Sequence, residues 1–178
     1  MWEPQNGRCG MVEKTRQLRI LVTVVSGGML WQSQSLMDRL GGGFRYSWVT
    51  ALDDYRTIQG RFPDRNVEVM PFPSSTGLVT ARQKLLAPVF SLWRAAGLVY
   101  RLRPDAIVSL GTCLAIPLFF WGRLCGAKTV FIESITRVTQ LSMTGRIVLG
   151  LRLADRFYVQ WPDLAGKYRR TVYRGSVL

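Results

Sequence analysis

The feature that most constrains this chain is a repeated unit: a short apolar, β-branched run that stops at small residues and gives way to a helical stretch. Leu18–Val25 (LRILVTVV) stops at Ser26-Gly27-Gly28, and Asp105–Leu110 (DAIVSL) stops at Gly111-Thr112-Cys113. Lys128–Glu133 (KTVFIE) stops at Ser134. Apolar runs without in–out alternation fit strands of a parallel sheet that is covered on both faces. Further strands are expected at Phe44–Ala51, Val67–Met70, Asp155–Gln160 and Thr171–Leu178. Helices are expected over about Leu30–Leu40, Leu78–Arg103 with Pro88 as a kink or restart, Thr112–Cys125, Ser142–Leu153 and Pro162–Tyr168. Leu52–Asn66 reads as loop with some helix, and Pro71–Gly77 as turn. The alternation predicts an α/β fold with a parallel, doubly wound sheet. Such sheets bind ligands at the carboxyl ends of their strands, which selects Ser26–Met29, Gly111–Thr112 and Glu133–Arg137.

A chain of 178 residues holds one domain with a full core. Residues 1–17 read as a flexible basic tail, without the apolar centre of a signal peptide, and residues 18–178 as one Rossmann-like domain. No run reaches the roughly 18–20 uninterrupted apolar residues of a spanning helix. The nearest, Ala106–Trp121, is broken by Gly111 and Pro117. Cys9, Cys113 and Cys125 form no CxxC pair and the chain has no His, so neither a metal site nor a disulfide is expected. The 24 Lys and Arg against 11 Asp and Glu give a net charge of +13, a field that attracts anionic lipid, phosphorylated substrate or nucleic acid. The basic residues are scattered among apolar ones and form no known nucleic-acid-binding motif, so no nucleic-acid partner is expected.

Each candidate residue has two readings. The Ser26-Gly27-Gly28 turn before Met29 is either tight-turn geometry or a backbone cradle for an anion or sugar at a helix N-terminus. Gly111-Thr112-Cys113 repeats that arrangement. Glu133, beside Ser134, is either a cap or arginine partner, or an acceptor for sugar hydroxyls or a general base. Arg137 either neutralises Glu133 or grips a phosphate. Leu78–Arg103 has no acidic residue and carries Arg82, Lys84, Arg94, Arg101 and Arg103. Leu85, Val89, Leu92, Ala96 and Val99 form an apolar stripe there, with Leu86, Trp93 and Tyr100 beside it. It is either a sheet-packing helix with a basic edge or an interfacial anchor through Trp93, Arg94 and Arg101.

From Leu110 onward the order of motifs is distinctive. Gly111-Thr112-Cys113 leads to Phe131-Ile132-Glu133-Ser134, then Arg137-Val138, Leu141-Ser142 and Gly145. Ala154-Asp155-Arg156-Phe157 runs to Val159-Gln160-Trp161-Pro162, and Tyr173-Arg174-Gly175 follows. This order resembles the membrane-anchoring subunit of the two-component N-acetylglucosamine transferase of lipid-linked oligosaccharide synthesis. It is similar also to bacterial relatives in exopolysaccharide and capsule assembly such as the PssD proteins. The resemblance covers residues 18–178. It implies the amino-terminal half of a GT-B glycosyltransferase, related to that half of MurG. It implies a small donor-binding partner subunit that holds the UDP-sugar, so that this chain needs no cofactor, and a metal-independent, inverting reaction. The implied acceptor is a sugar on a polyprenyl diphosphate at the cytoplasmic face of the inner or plasma membrane, and the implied partner-facing residues are Gln160, Trp161, Tyr173 and Gly175. Relatives commonly have His where this chain has Met29, so a base must be a carboxylate such as Glu133 or come from the partner. Eukaryotic members carry an amino-terminal membrane helix with no counterpart here, so a peripheral, bacterial-type protein is expected. A scaffold that recruits the catalytic partner without touching substrate is the rival reading.

Overall fold

A computed structural model describes residues 17–61, 67–70 and 81–177. The expected tail (residues 1–16 of it) and the Pro71–Gly77 turn lie outside these residues. The strands are β1 (Arg19–Thr23), β2 (Arg45–Ala51), β3 (Val67–Met70), β4 (Ala106–Leu110), β5 (Lys128–Ile132), β6 (Arg156–Val159) and β7 (Thr171–Tyr173). The helices are α1 (Gly28–Leu40), α2 (Tyr55–Arg61), α3 (Ala81–Leu102), α4 (Ala115–Leu124), α5 (Met143–Gly150) and α6 (Pro162–Lys167). The strands form one sheet in the order β3-β2-β1-β4-β5-β6-β7. Every pair is parallel. The chain winds outward from β1 to β3, then crosses back to β4 and winds outward to β7. The reversal places a crevice between the carboxyl ends of β1 and β4, where such folds bind ligands.

Successive strand side chains point to opposite faces. Leu21, Ile107, Phe131 and Phe157 pack under α3–α6, whereas Val22, Val108, Leu110 and Ile132 pack under α1 and α2. Two aspartates fix the starts of strands. Asp105 accepts from the Arg19 N–H (2.8 Å) and returns its own N–H to the Arg19 carbonyl (2.8 Å). Asp155 accepts from the Thr129 N–H (2.9 Å) and hydroxyl (3.2 Å) and pairs with Arg123 (3.0 Å).

Two expectations change in detail. The last strand stops at Tyr173 rather than Leu178 because the chain turns away at Gly175 (φ +94°). Val177 then donates its N–H to Gln160 Oε1 (2.9 Å) and packs on the α1 side of the sheet. Pro88 does not restart a helix: α3 is one element from Ala81 to Leu102. The side chains before Phe90 lie outside the described residues. Beyond them, the buried stripe of α3 is Ser91, Ala95, Leu98 and Val99, while Trp93, Arg94, Tyr100 and Arg101 face outward. Among the described residues no helix is long and apolar enough to cross a membrane.

Candidate functional site

Three of the selected turns meet at the crevice. The space in which a Gly111 side chain would stand is bounded by Ser134 (3.4 Å) and the Met29 methyl (3.5 Å). Residues from the ends of β1, β4 and β5 therefore line one locus. Gly27 (φ +82°) and Gly111 (φ +64°) both take the left-handed backbone that side chains disfavour, so each turn requires its glycine. α1 begins at Gly28 with no side chain capping it, so its first N–H groups have no capping partner there. Gly28 has open space around it and an ordinary φ.

Most of the polar side chains at this locus are committed internally. Ser26 donates to Asp54. Thr112, buried, donates to Thr23 (2.9 Å), which donates to Ser109 (2.8 Å), and Ser109 lies 3.2 Å from Thr112. That closed hydroxyl ring ties the ends of β1 and β4 together below the turn. Ser134 contacts the Thr136 hydroxyl (3.0 Å). Cys113 is partly buried, and burial raises its thiol pKa against two backbone N–H bonds that lower it. The locus therefore offers backbone, the Met29 side chain and the loop that follows, rather than a set of free nucleophiles.

Glu133 is fully buried. One carboxylate oxygen accepts the Ser134 N–H (3.1 Å). The other accepts both the N–H (3.0 Å) and the hydroxyl (3.0 Å) of Ser142. Ser142 in turn caps α5, accepting the Gly145 N–H (3.0 Å). A Cβ on Gly145 would stand 2.2 Å from the Glu133 carboxylate, so only glycine admits it. One side chain thus pins both ends of the loop between Ser134 and Ser142. The geometry gives Glu133 a bracing role, since no oxygen faces solvent to take a substrate proton; of its two sequence readings, the cap is the one this arrangement performs. Arg137 does not pair with it: Arg137 is exposed and lines a groove of about 570 Å³ with Thr136, Gln140 and Arg146.

The proposed partner-facing residues divide. Gln160 is 4% exposed, donates to Gln32 Oε1 (2.9 Å) and to the Glu133 carbonyl (2.9 Å), and accepts from Val177. Buried and fully engaged, it offers no surface to a partner and instead fastens the carboxyl-terminal segment to the loop. Trp161 donates its indole N–H to the Ile135 carbonyl (2.7 Å), with its ring partly exposed. Tyr173 and Gly175 are exposed. On α3, Arg94 is exposed, but Arg101 forms an ion pair with Glu68 of β3 (2.5 Å). Gln32, a polar residue inside a helix that gives no local sign of the contact in the sequence, also accepts the Ile135 N–H on its side-chain oxygen (3.2 Å). Ser142 and Gly145 did have a signal, a serine three residues before a glycine at a helix start.

The fold defines a Rossmann-like half of the GT-B glycosyltransferase type. The crystal structure of Acinetobacter baumannii MurG superposes with a TM-score of 0.70 at 16% identity, covering 90% of this chain and 46% of that one. A UDP-N-acetylglucosamine 2-epimerase from Rickettsia bellii does so with a TM-score of 0.61 at 14% identity, covering 90% and 45%. Residues 63–177 match the family model described as oligosaccharide biosynthesis protein Alg14 like, and the chain belongs to that family. The rat protein named UDP-N-acetylglucosamine transferase subunit ALG14 is 36% identical over 107 residues, 54% of this chain and 49% of that protein. The fission yeast protein of that name (Schizosaccharomyces pombe) is 29% identical over 184 residues, 93% of this chain and 86% of that protein. The chain spans about half the length of the mammalian relatives it matches.

Proposed function

We propose that this chain is the acceptor-side subunit of a split GT-B glycosyltransferase, holding a polyprenyl-diphosphate-linked sugar at a membrane surface while a partner polypeptide supplies the nucleotide-sugar donor. The observation that carries the reading is the convergence of Gly28–Met29, Gly111 and Ser134 at the β1–β4 crevice in one Rossmann-like unit. A two-domain GT-B enzyme encloses its substrates between two such units, and MurG is matched over less than half its length. The uncapped start of α1 suits the diphosphate, because helix N–H groups and the helix dipole favour anions. Arg137, exposed on the loop after β5, offers a guanidinium suited to the same class of ligand. The relatives are named as subunits of a UDP-N-acetylglucosamine transferase, which supports the donor class and the need for a partner. The pathway follows in the same sense: lipid-linked oligosaccharide, or bacterial exopolysaccharide or capsule, at the cytoplasmic membrane face. Trp93, 70% exposed, and Arg94 on α3 make the peripheral contact with anionic lipid.

The test is Gly28→Ala. Open space at Gly28 means that the added methyl meets nothing in the protein itself. Loss of turnover with the partner present, at an unchanged melting temperature, is the expected result. Unchanged turnover would place the acceptor elsewhere.

A further inference from the structure

With Glu133 buried and engaged, a proton released at the crevice needs another acceptor, and the chain has no His. The remaining carboxylates of the described residues can be placed one by one. Every strand pair is parallel, so the carboxyl ends of the strands lie along one edge of the sheet. Asp105 and Asp155 stand directly before β4 and β6, at the opposite edge, where each accepts a backbone N–H. Glu68 lies within β3 and pairs with Arg101. Asp38 is near the end of α1, which leads away from the crevice. Asp163 begins α6 after β6, and β5 separates β6 from β4. Glu3, Glu13 and Asp64 lie outside the described residues. Asp53 and Asp54 remain, in the short 3₁₀ turn (Leu52–Asp54) that follows β2, the neighbour of β1. Asp53 is exposed, whereas Asp54 is half-buried and tied to the crevice: Ser26, directly before Gly27-Gly28, donates its hydroxyl to Asp54 Oδ1. Among the described residues Asp54 Oδ2 has no hydrogen-bond or ion-pair partner.

We propose that Asp54 is the catalytic base of the crevice, taking the proton of the acceptor hydroxyl. The inference rests on the acceptor-side reading above and adds to it the group that performs the proton transfer. The two flanks of the crevice divide the work. On the β4 side Gly111, Met29 and Ser134 leave backbone open to a ligand, and on the β2 side stands the carboxylate. Ser26 holds Oδ1, which fixes the carboxylate and leaves Oδ2 to accept an O–H from a sugar. Because Ser26 belongs to the same turn as the glycines, the base and the open start of α1 are parts of one loop. In the step, the acceptor hydroxyl oxygen forms a bond to the anomeric carbon of a nucleotide-diphosphate sugar. The bond from that carbon to the diphosphate oxygen breaks, and its electron pair leaves on the nucleoside diphosphate. The hydroxyl proton passes to Asp54 Oδ2. The work assigned in the sequence to Glu133 thus moves to a carboxylate with a free oxygen, and Glu133 keeps its bracing role.

Steady-state kinetics of the complex with its donor-binding partner test this, using UDP-N-acetylglucosamine and farnesyl-diphosphate-linked N-acetylglucosamine. The variants are Asp54→Asn, Asp54→Ala and, as the neighbouring control, Asp53→Asn. Asparagine keeps an oxygen for Ser26 and replaces the free oxygen with an amide that cannot take a proton. The expected result for Asp54→Asn is a kcat lower by about 10²–10⁴-fold, with acceptor KM and melting temperature close to wild type. Asp53→Asn should turn over as wild type does. Added formate should restore part of the turnover of Asp54→Ala in proportion to its concentration, because a small carboxylate can take the place of the missing one; a merely structural role gives no such rescue. Transfer by the wild-type complex with near-wild-type kcat in Asp54→Asn overturns the base and leaves the acceptor-side reading standing. A loss carried by acceptor KM, or one that follows the melting temperature without formate rescue, also overturns the base. No transfer by the wild-type complex overturns the acceptor-side reading and the base together.

Discussion

At the scale of single residues, Glu133 separates two accounts of the site. A carboxylate that accepts three hydrogen bonds and pins both ends of a loop contributes stability as well as shape. Glu133→Gln places an amide N–H₂ where Ser134 and Ser142 present donors. It should destabilise the fold by about 1–3 kcal/mol, the usual range for a buried group left unsatisfied. Turnover should then fall together with the melting temperature. A general base predicts the reverse: an unchanged melting temperature and a rate loss of about 10²–10⁴. Gly145→Ala makes the complementary test, because its methyl would press on the same carboxylate at 2.2 Å. Overpacking of that kind costs about 1–3 kcal/mol, and thermal denaturation reads it directly. The sequence marked Glu133 as special but left open what it does, since burial and a hydrogen-bond partner nine residues away are not visible in a linear pattern. Ser26 and Thr112 illustrate the same limit. Small polar residues at strand ends suggested ligand contacts, and the hydroxyls turn inward to Asp54 and to Thr23.

At the scale of elements, the strands were legible and their ends less so. β1, β4 and β5 follow from apolar runs because strands buried on both faces tolerate little else. β7 was expected to run to Leu178, but the pull of Gln160 on the Val177 backbone is a tertiary effect with no local signature. The buried stripe of α3 shifts for a related reason: the spacing puts Leu92, Ala96 and Val99 in it, whereas packing against the sheet selects Ala95, Leu98 and Val99 and leaves Trp93 and Tyr100 outside. Arg101 was expected to serve the membrane, and its ion pair with Glu68 makes it a poor reporter of lipid binding. Asp155 gives a pH-dependent prediction at this scale. Burial acts to raise its pKa, but the Thr129 N–H and hydroxyl, Arg123 and Lys128 outweigh that and lower it. A lowered folded value means that the stabilisation is present above the ordinary aspartate range, near pH 4, and is lost as pH falls through the folded value. Asp155→Asn should therefore melt earlier than wild type at neutral pH, and the gap should close as the pH drops below about 4. Melting temperatures of both proteins across an acid series check it.

At the scale of the whole molecule, the winding of the sheet and the placement of its helices carry the account. Reversal between β1 and β4 creates the crevice, and the acid-free α3, α4 and α5 lie together on one face of the sheet. The fold and the family were both readable from motif order, because Phe131–Ser134, Leu141–Ser142 and Gly145 form one mechanical unit whose parts must stay together. What the linear pattern did not reveal was that Gln160, within such a motif, faces inward and fastens the chain rather than meeting a partner. The central claim is that this unit supplies one side of a shared catalytic cleft. The direct measurement is transfer of labelled sugar from a nucleotide-sugar donor to a polyprenyl-diphosphate-linked acceptor, by the chain alone, by its donor-binding partner alone, and by the two together. The account predicts transfer only from the mixture. Sustained turnover by this chain alone would contradict it.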